Sequence, residues 1–164
     1  MKYKTRIYFQ SGSFCETEID SNVKIAPNFT FAEYVNKSAK DAVKAEFYPE
    51  TWTHIKMMQE MRNTFGSMTI SSWFRTKTFN ASLKNADPRS AHQYGCAADW
   101  QKKGEKETDR KYKADVWKNL CNKYGVVGAI NYYTNGYHLE ILSDKCYGNS
   151  RFVIRDYRGK KGDW

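Results

Sequence analysis

Apolar residues recur every three or four positions in two stretches of the chain, which predicts two amphipathic helices. The first is expected to begin at Glu50 or Thr51, just after Pro49, and to end at Gly66. Its apolar face consists of Trp52, Ile55, Met58, Met61 and Phe65. The second is expected over 109–124, and its apolar face consists of Tyr112, Val116, Leu120 and Tyr124, with Trp117 and Cys121 beside them. The alanine- and lysine-rich segment 36–46 predicts a further helix.

Short runs rich in β-branched and aromatic residues predict strands between and after these helices. They cover 68–74, 96–100, 126–133 and 137–142, with a last one at 151–155. Asn135-Gly136 between two apolar runs is a strong hairpin signal, because both residue types tolerate positive φ. Two more runs, at 5–9 and 14–19, predict a small hairpin near the N-terminus. The polar segment 76–89 is expected to be irregular and to form a rim over a site.

This order of elements predicts an α+β fold, in which helices pack on one face of a small, mainly antiparallel sheet. At 164 residues the chain fits one domain, and no internal repeat divides it. We therefore expect a single domain over 1–164, with 1–25 as an N-terminal hairpin extension. A hydrophobic fraction of 40% with 16% aromatic residues is typical of a folded globular protein rather than a disordered one.

The chain carries 27 basic and 18 acidic side chains, which gives a net charge of +9. This charge favours polyanionic partners, such as nucleic acid, anionic lipid or the anionic polymers of a bacterial wall, without choosing among them. No recognisable RNA-binding motif is present, so no specific nucleic-acid partner is expected. No apolar run approaches the ~20 residues of a membrane span, and no secretory signal follows Met1. We therefore expect synthesis in the cytoplasm and no membrane span.

One segment concentrates the residue types that suit a metal site. It places His92 and Asp99 seven positions apart, with Gly95 between them. A helix would separate the pair by about 10 Å along its axis, whereas one ion needs each ligand within roughly 2.0–2.2 Å. Gly95 allows the backbone to turn instead, so that His92 lies on a loop and 96–100 forms a strand. Asp99 then shares a strand face with a small alanine, which leaves room for an ion.

The chain has three histidines, and the other two are His54 and His138. His138 follows the predicted hairpin and is the candidate third ligand. His54 lies off the apolar face of the first helix, and we interpret it as a surface residue or as a hydrogen-bond partner of a ligand. Two histidines, a carboxylate and an open position for water make up a catalytic zinc site. A histidine hydrogen-bonded to an aspartate, without metal, is the plain alternative.

The pattern Ser-x-His-x-x-Gly-x-Ala-x-Asp, followed some forty residues later by an aromatic residue and His138, resembles the D-alanyl-D-alanine carboxypeptidase-like zinc metallopeptidases. These enzymes cut bacterial cell-wall peptides and include phage lysins. The resemblance covers most of the chain and implies a hedgehog/D-Ala-D-Ala-peptidase-like fold. Segment 28–33 is similar to the family's opening segment, 51–66 to its first long helix and 70–75 to its Ser-Gly-Tyr-Arg strand, and Asn80 stands where the family often has asparagine.

The resemblance also implies roles for individual residues. His92, Asp99 and His138 would be the ligands of a Zn²⁺ ion. Arg75 would orient a substrate carboxylate or stabilise a developing oxyanion, and Ser90 would contact the peptide. The plain alternatives are a surface salt bridge for Arg75 and a turn residue for Ser90. Tyr133, on the partner strand of His138, is a candidate to hydrogen-bond a tetrahedral intermediate, with a place in the core or rim as its alternative.

The chain departs from the family at the general base. Relatives carry a glutamate three positions before the last histidine, or a histidine two before it; here those positions hold Asn135 and Gly136, and neither accepts a proton. Glu140 lies two residues after His138, so both side chains point to the same face of a strand. Glu140 is therefore a candidate base. It is equally a candidate to hydrogen-bond a ligand imidazole, with an ordinary surface glutamate as the third interpretation.

The function that this pattern predicts is a zinc-dependent peptidase acting on the stem peptides of bacterial peptidoglycan, encoded by a phage or prophage. Without a signal peptide, it would reach the wall after release from the cell or as part of a phage particle. The alternative is a catalytically impaired relative that serves as a wall-binding or virion structural module. A non-haem iron oxygenase uses the same ligand types, but its usual His-x-Asp spacing and many-stranded jelly roll are missing. A basic RNA-binding module has no motif to support it.

Overall fold

A computed structural model describes residues 1–35, 45–102, 105–142 and 152–158 of the protein. In chain order the elements of these ranges are β1 (Lys2–Tyr8), β2 (Phe14–Asp20), β3 (Lys24–Ala26), β4 (Phe29–Thr30), α1 (Phe31–Tyr34), β5 (Ala45–Phe47), α2 (Pro49–Phe65), β6 (Thr69–Ser72), α3 (Lys77–Ser82), a 3-10 helix (Ala91–Tyr94), β7 (Ala97–Gln101), α4 (Glu107–Tyr124), β8 (Val127–Tyr133), β9 (Gly136–Leu142) and β10 (Val153–Asp156).

The largest sheet has five strands in the order β10-β8-β9-β7-β6. The pairs β6–β7, β7–β9 and β8–β9 are antiparallel, and β10 joins β8 in parallel. The fold is therefore α+β with a mainly antiparallel principal sheet, as the order of elements predicts. The N-terminal hairpin of β1 and β2 belongs to a second sheet, in which β1 also pairs in parallel with β5.

The helices α2 and α4 pack on each other and on one face of the five-stranded sheet. On that face a side chain at Gly128 would collide with Cys121 and crowd Trp117 of α4. Trp117 Nε1 donates a hydrogen bond to the carbonyl of Ala129 at 3.1 Å. Side chains alternate across a strand, so the strand residues next to those that face the helices point to the opposite face of the sheet. That opposite face carries the candidate site.

The predicted bounds of α2 are correct, but Trp52 of its predicted apolar face is 37% exposed, and the other helix predictions are only partly correct. Helix α2 spans Pro49–Phe65 and ends at Gly66, whose φ is 76°. In α4 the buried residues are Arg110, Lys113, Ala114, Trp117, Leu120 and Cys121, whereas Tyr112 of the predicted apolar face is 57% exposed. The apolar pattern missed this face because the face contains two buried basic residues, Arg110 and Lys113. Lys113 pairs with Glu105 at 2.7 Å and lies over the ring of Trp100.

Two predicted segments differ from the structure. Of the predicted helix at 36–46, residues 36–44 lie outside the described part, and Ala45 and Glu46 belong to strand β5. The segment 76–89, predicted to be irregular, begins with helix α3, because the Thr76 hydroxyl accepts a hydrogen bond from the Phe79 N–H and caps its first turn.

The hairpin between β8 and β9 forms one residue earlier than predicted. Its turn residues are Thr134 and Asn135, and Gly136 already pairs with Tyr133. Gly136 does not have a positive φ. Its requirement for glycine is instead one of space, because a Cβ at this position would collide with the backbone carbonyl of Trp100 on β7.

Candidate metal centre

The candidate site is built on a row of polar residues that crosses the whole five-stranded sheet. The strand registers place Ser72 beside Asp99, Asp99 beside His138, His138 beside Asn131, and Asn131 beside Arg155. Neighbouring strands lie about 4.7–4.9 Å apart, so each side chain of the row can reach the next. The two predicted ligands His138 and Asp99 are therefore adjacent by pairing of β7 with β9.

His92 reaches this row from the 3-10 helix that precedes β7. Gly95 ends that helix in the left-handed region, with φ of 64°, and a Cβ there would collide with the Tyr34 hydroxyl. The glycine thus turns the chain between His92 and Asp99, as predicted. His92 is 1% exposed, and its Nδ1 lies 2.7 Å from the Trp73 carbonyl. Because a carbonyl only accepts, Nδ1 carries the hydrogen and Nε2 presents a lone pair.

Three ligand atoms converge at the centre of the site. His92 Nε2 lies 3.2 Å from Asp99 Oδ1 and 3.2 Å from His138 Nδ1, and the last two atoms are 2.8 Å apart. Ligands of a tetrahedral Zn²⁺ at roughly 2.0–2.2 Å are themselves separated by about 3.3–3.6 Å. The triangle is close to this size, and the three residues could hold a metal ion.

The chemistry of the three atoms also fits a cation. His138 Nε2 lies 3.1 Å from Glu140 Oε2 and donates to it, so the lone pair of a neutral His138 is on Nδ1. With the hydrogens of both rings directed outward, three acceptor atoms face one another. Buried acceptors at this separation require a cation or a proton among them. The donor set of two imidazoles and one carboxylate is one that zinc accepts.

Burial and charge determine the protonation of the site. Burial raises the pKa of Asp99, but the neighbouring His92 and His138 outweigh burial and hold that pKa well below its ordinary value. Burial lowers the pKa of His92, and the charges of Arg75 and His138 lower it further, against the raising effect of Asp99. Burial also lowers the pKa of His138, yet the carboxylates of Glu140 and Asp99 raise it to about 9. An ion that binds at neutral pH must therefore displace a proton from His138.

Arg75 contacts the site through Asp99. Its Nη2 lies 2.5 Å from Asp99 Oδ2 and its Nε lies 2.8 Å from the Ser72 hydroxyl. The backbone N–H of Arg75 donates to the His92 carbonyl at 3.0 Å. One oxygen of Asp99 is thus paired with the arginine, which leaves the other for the triangle. The Arg75 side chain is only 17% exposed, so the alternative of a surface salt bridge is wrong.

Glu140 is 3% exposed, and the alternative of an ordinary surface glutamate is wrong. Its Oε2 accepts from His138 Nε2 and its Oε1 accepts from Arg155 Nη1 at 3.1 Å. Burial raises the pKa of Glu140, but the charges of His138 and Arg155 lower it to about 2. Glu140 is therefore an ionised carboxylate with both oxygens engaged, one of them by the imidazole of His138.

The remaining predicted residues flank this centre. Ser90 precedes the 3-10 helix as its N-cap without a side-chain cap hydrogen bond, and its backbone N–H donates to the Asp87 carbonyl. Tyr133 lies on the same sheet face as His138 by alternation. Its ring stacks on that of Tyr157, with the ring centroids 5.4 Å apart. The substrate contacts predicted for Ser90 and Tyr133 stay predictions.

His54 is fully buried beneath the site, so its interpretation as a surface residue is wrong. Its Nε2 donates to the Leu139 carbonyl at 3.1 Å, and its Nδ1 accepts from Trp73 Nε1 at 3.1 Å. Burial lowers the pKa of His54 to about 3, which keeps the ring neutral. His54 supports the centre indirectly, because the Trp73 carbonyl orients His92 and Leu139 lies between His138 and Glu140.

Sequence reasoning missed three members of the polar row, Ser72, Asn131 and Arg155. All three lie in predicted strands, and alternation places Asn131 two residues before Tyr133 on the same face. No local sequence signal predicts the parallel pairing of β10 with β8, because that pairing depends on the arrangement of the whole sheet. The only sequence sign of Arg155 is a basic residue at the end of a β-prone run.

Comparisons with family models, with curated proteins and with solved structures found no match to this chain. The resemblance given above therefore rests on the motif residues alone. Within the described ranges, no helix has both the length and the apolar character needed to cross a membrane.

Proposed function

We propose that the chain is a zinc-dependent peptidase that hydrolyses stem peptides of bacterial peptidoglycan and has the hedgehog/D-Ala-D-Ala-peptidase-like fold of the family it resembles. A phage or prophage origin, with action on the wall after release or from a phage particle, belongs to the same proposal. The supporting observation is the convergence of His92 Nε2, Asp99 Oδ1 and His138 Nδ1 within 3.2 Å of one another. These are the three positions at which the motif resembles the zinc ligands of that family.

In this proposal each residue of the centre has a definite task. His92, Asp99 and His138 would hold the ion, which when bound lowers the pKa of a coordinated water and polarises a scissile carbonyl. Arg75 keeps Asp99 oriented through Oδ2. Its guanidinium is also the nearest described cation to Asp99 and would bind the anionic end of a wall peptide. Tyr133 lies on the same sheet face as His138 by strand alternation and would line the same substrate path. The net charge of +9 favours approach to anionic wall polymers.

A second candidate function is a wall-binding or virion structural module that keeps the metal centre without turnover. The observation that favours it is the engagement of Glu140, whose two oxygens contact His138 and Arg155. The family's usual base positions hold Asn135, in the hairpin turn, and Gly136, which has no side chain. A peptidase would need Glu140 to give up one of these contacts and accept a proton.

Purified peptidoglycan separates the two functions. The peptidase is expected to release new amino groups or D-alanine from walls in a zinc-dependent reaction, and His92→Ala is expected to reduce release to the level of buffer alone. Wall binding, measured by sedimentation, is the paired readout. Wild-type protein that holds zinc and sediments with walls but releases nothing would support the binding module. Protein that neither holds zinc nor acts on walls would contradict both.

A further inference from the structure

We infer that Arg155, on the C-terminal strand β10, is a positioning residue of the metal centre. Through Glu140 it fixes the ring of His138 so that Nδ1 faces the ion. The inference rests on the proposed metal centre and extends it to a strand that the ligand motif does not include. The last described strand then belongs to the site as well as to the sheet.

A carboxylate is needed to orient His138. The χ2 torsion of histidine is broad and roughly two-fold, so a half-turn of the ring can exchange Nδ1 with Cδ2 and Nε2 with Cε1 and turn a carbon toward the ion. A carboxylate that accepts the outer N–H selects both the rotamer and the tautomer of a ligating imidazole. Glu140 Oε2 lies 3.1 Å from His138 Nε2 and occupies that position.

Glu140 itself has a flexible side chain, and Arg155 holds its other end. Arg155 Nη1 lies 3.1 Å from Glu140 Oε1 and 3.2 Å from Asn131 Oδ1. The carboxylate is thus fixed between an imidazole and a guanidinium, with one oxygen for each. Asn131 in turn fixes the guanidinium, and the pairing of β10 with β8 places Arg155 directly beside Asn131.

The positive charge of Arg155 gives a second reason to infer that this residue stabilises the position of Glu140. Glu140 is 3% exposed, and a buried carboxylate without a cationic partner is strongly destabilised. A histidine that ligates a metal is neutral, so in the loaded centre His138 does not supply a full positive charge. Arg155 supplies a permanent one, because arginine stays protonated in proteins. Loss of Arg155 should therefore loosen Glu140 in the metal-bound form.

The test is a double-substitution cycle read by zinc affinity, measured by competition with a chromophoric chelator. Glu140→Gln is expected to weaken zinc binding about 10–100-fold, the usual effect of removing a hydrogen-bond partner of a metal ligand. Arg155→Gln is expected to weaken it by roughly tenfold, toward the lower end of that range. Because Arg155 acts through Glu140, the double variant should bind no more weakly than Glu140→Gln alone.

The matched control is Arg158→Gln, which removes an arginine three positions away that pairs with Asp156 and Glu107 at the surface. Its zinc affinity should equal that of the wild type. Cobalt substitution adds a readout of geometry, since the visible absorption of bound Co²⁺ should change in Arg155→Gln and not in Arg158→Gln. If Arg155→Gln does not fold, Arg155→Lys replaces it and should bind zinc several-fold more weakly than the wild type.

Three outcomes would overturn the inference. One is an Arg155 variant with wild-type zinc affinity and cobalt spectrum. Another is a double variant whose loss of zinc affinity equals the product of the losses in the two single variants. That result would mean that Arg155 does not act through Glu140. In both cases the wild type still binds zinc, and the proposed metal centre survives. Wild-type protein that binds no zinc would overturn both the inference and the centre.

Discussion

His92→Ala is expected to lower bound zinc from about one equivalent per chain to near zero. His92 Nε2 is one of three converging atoms that could hold a metal ion, and alanine offers no donor in its place. The 3-10 helix that carries His92 is held by backbone hydrogen bonds and by the Gly95 turn, so the substitution should leave the fold intact. Elemental analysis of protein purified without chelator measures the change directly.

The matched control is His54→Gln, which alters the third histidine of the chain. His54 bonds to the Leu139 carbonyl and to Trp73 Nε1 and contributes no atom to the triangle. This variant should keep about one equivalent of zinc, provided that circular dichroism shows it to be folded. Equal zinc in His92→Ala and the wild type would exclude His92 as a ligand.

Asp99→Asn is expected to lower the free energy of unfolding of metal-free protein by about 3–5 kcal/mol, the usual cost of removing one partner of a buried ion pair. Asp99 is 4% exposed, and its Oδ2 pairs with Arg75 at 2.5 Å. Asparagine keeps the shape but leaves the guanidinium without its anion. Urea unfolding in the presence of a chelator measures the difference without any contribution from bound metal.

The effect of Asp99→Asn should also depend on pH. Folding depresses the pKa of Asp99, so its contribution to stability is fully present above the unfolded-state pKa of about 3.9 and is lost as the pH falls below it. The difference in the free energy of unfolding between the wild type and Asp99→Asn should therefore become smaller in acid. Asp156→Asn, in an exposed pair with Arg158, is the control and should cost less than about 1 kcal/mol. If Asp99→Asn lowers the free energy of unfolding by no more than the control substitution does, that result would contradict the stabilising role of the buried Asp99–Arg75 pair.

Much of the ligand geometry could be predicted from local sequence. The seven-residue spacing of His92 and Asp99 excludes a helix, and Gly95 then predicts the turn that the structure shows. Strand alternation predicts that His138 and Glu140 share a face. These inferences succeed because each depends on a few neighbouring residues and on the fixed periods of helix and strand.

The rest depends on contacts between distant segments. The order of the five strands places Asp99 beside His138 and Arg155 beside Asn131, and nothing local specifies either pairing. The burial of His54 follows from the way α2 packs under the sheet. The buried face of α4 includes Lys113, a charged residue that an apolar pattern does not assign to the core. Lys113 can be buried because Glu105 offsets its charge. Such polar groups are buried only where a distant partner is present.

The most direct test of the metal centre is anomalous diffraction at the zinc absorption edge from crystals of the metal-loaded protein. The centre predicts one strong anomalous peak per chain, within roughly 2.0–2.2 Å of His92 Nε2, Asp99 Oδ1 and His138 Nδ1. Glu140 should remain hydrogen-bonded to His138 Nε2 beside it. An anomalous peak elsewhere, or a loaded crystal in which these three atoms surround no peak, would contradict the account.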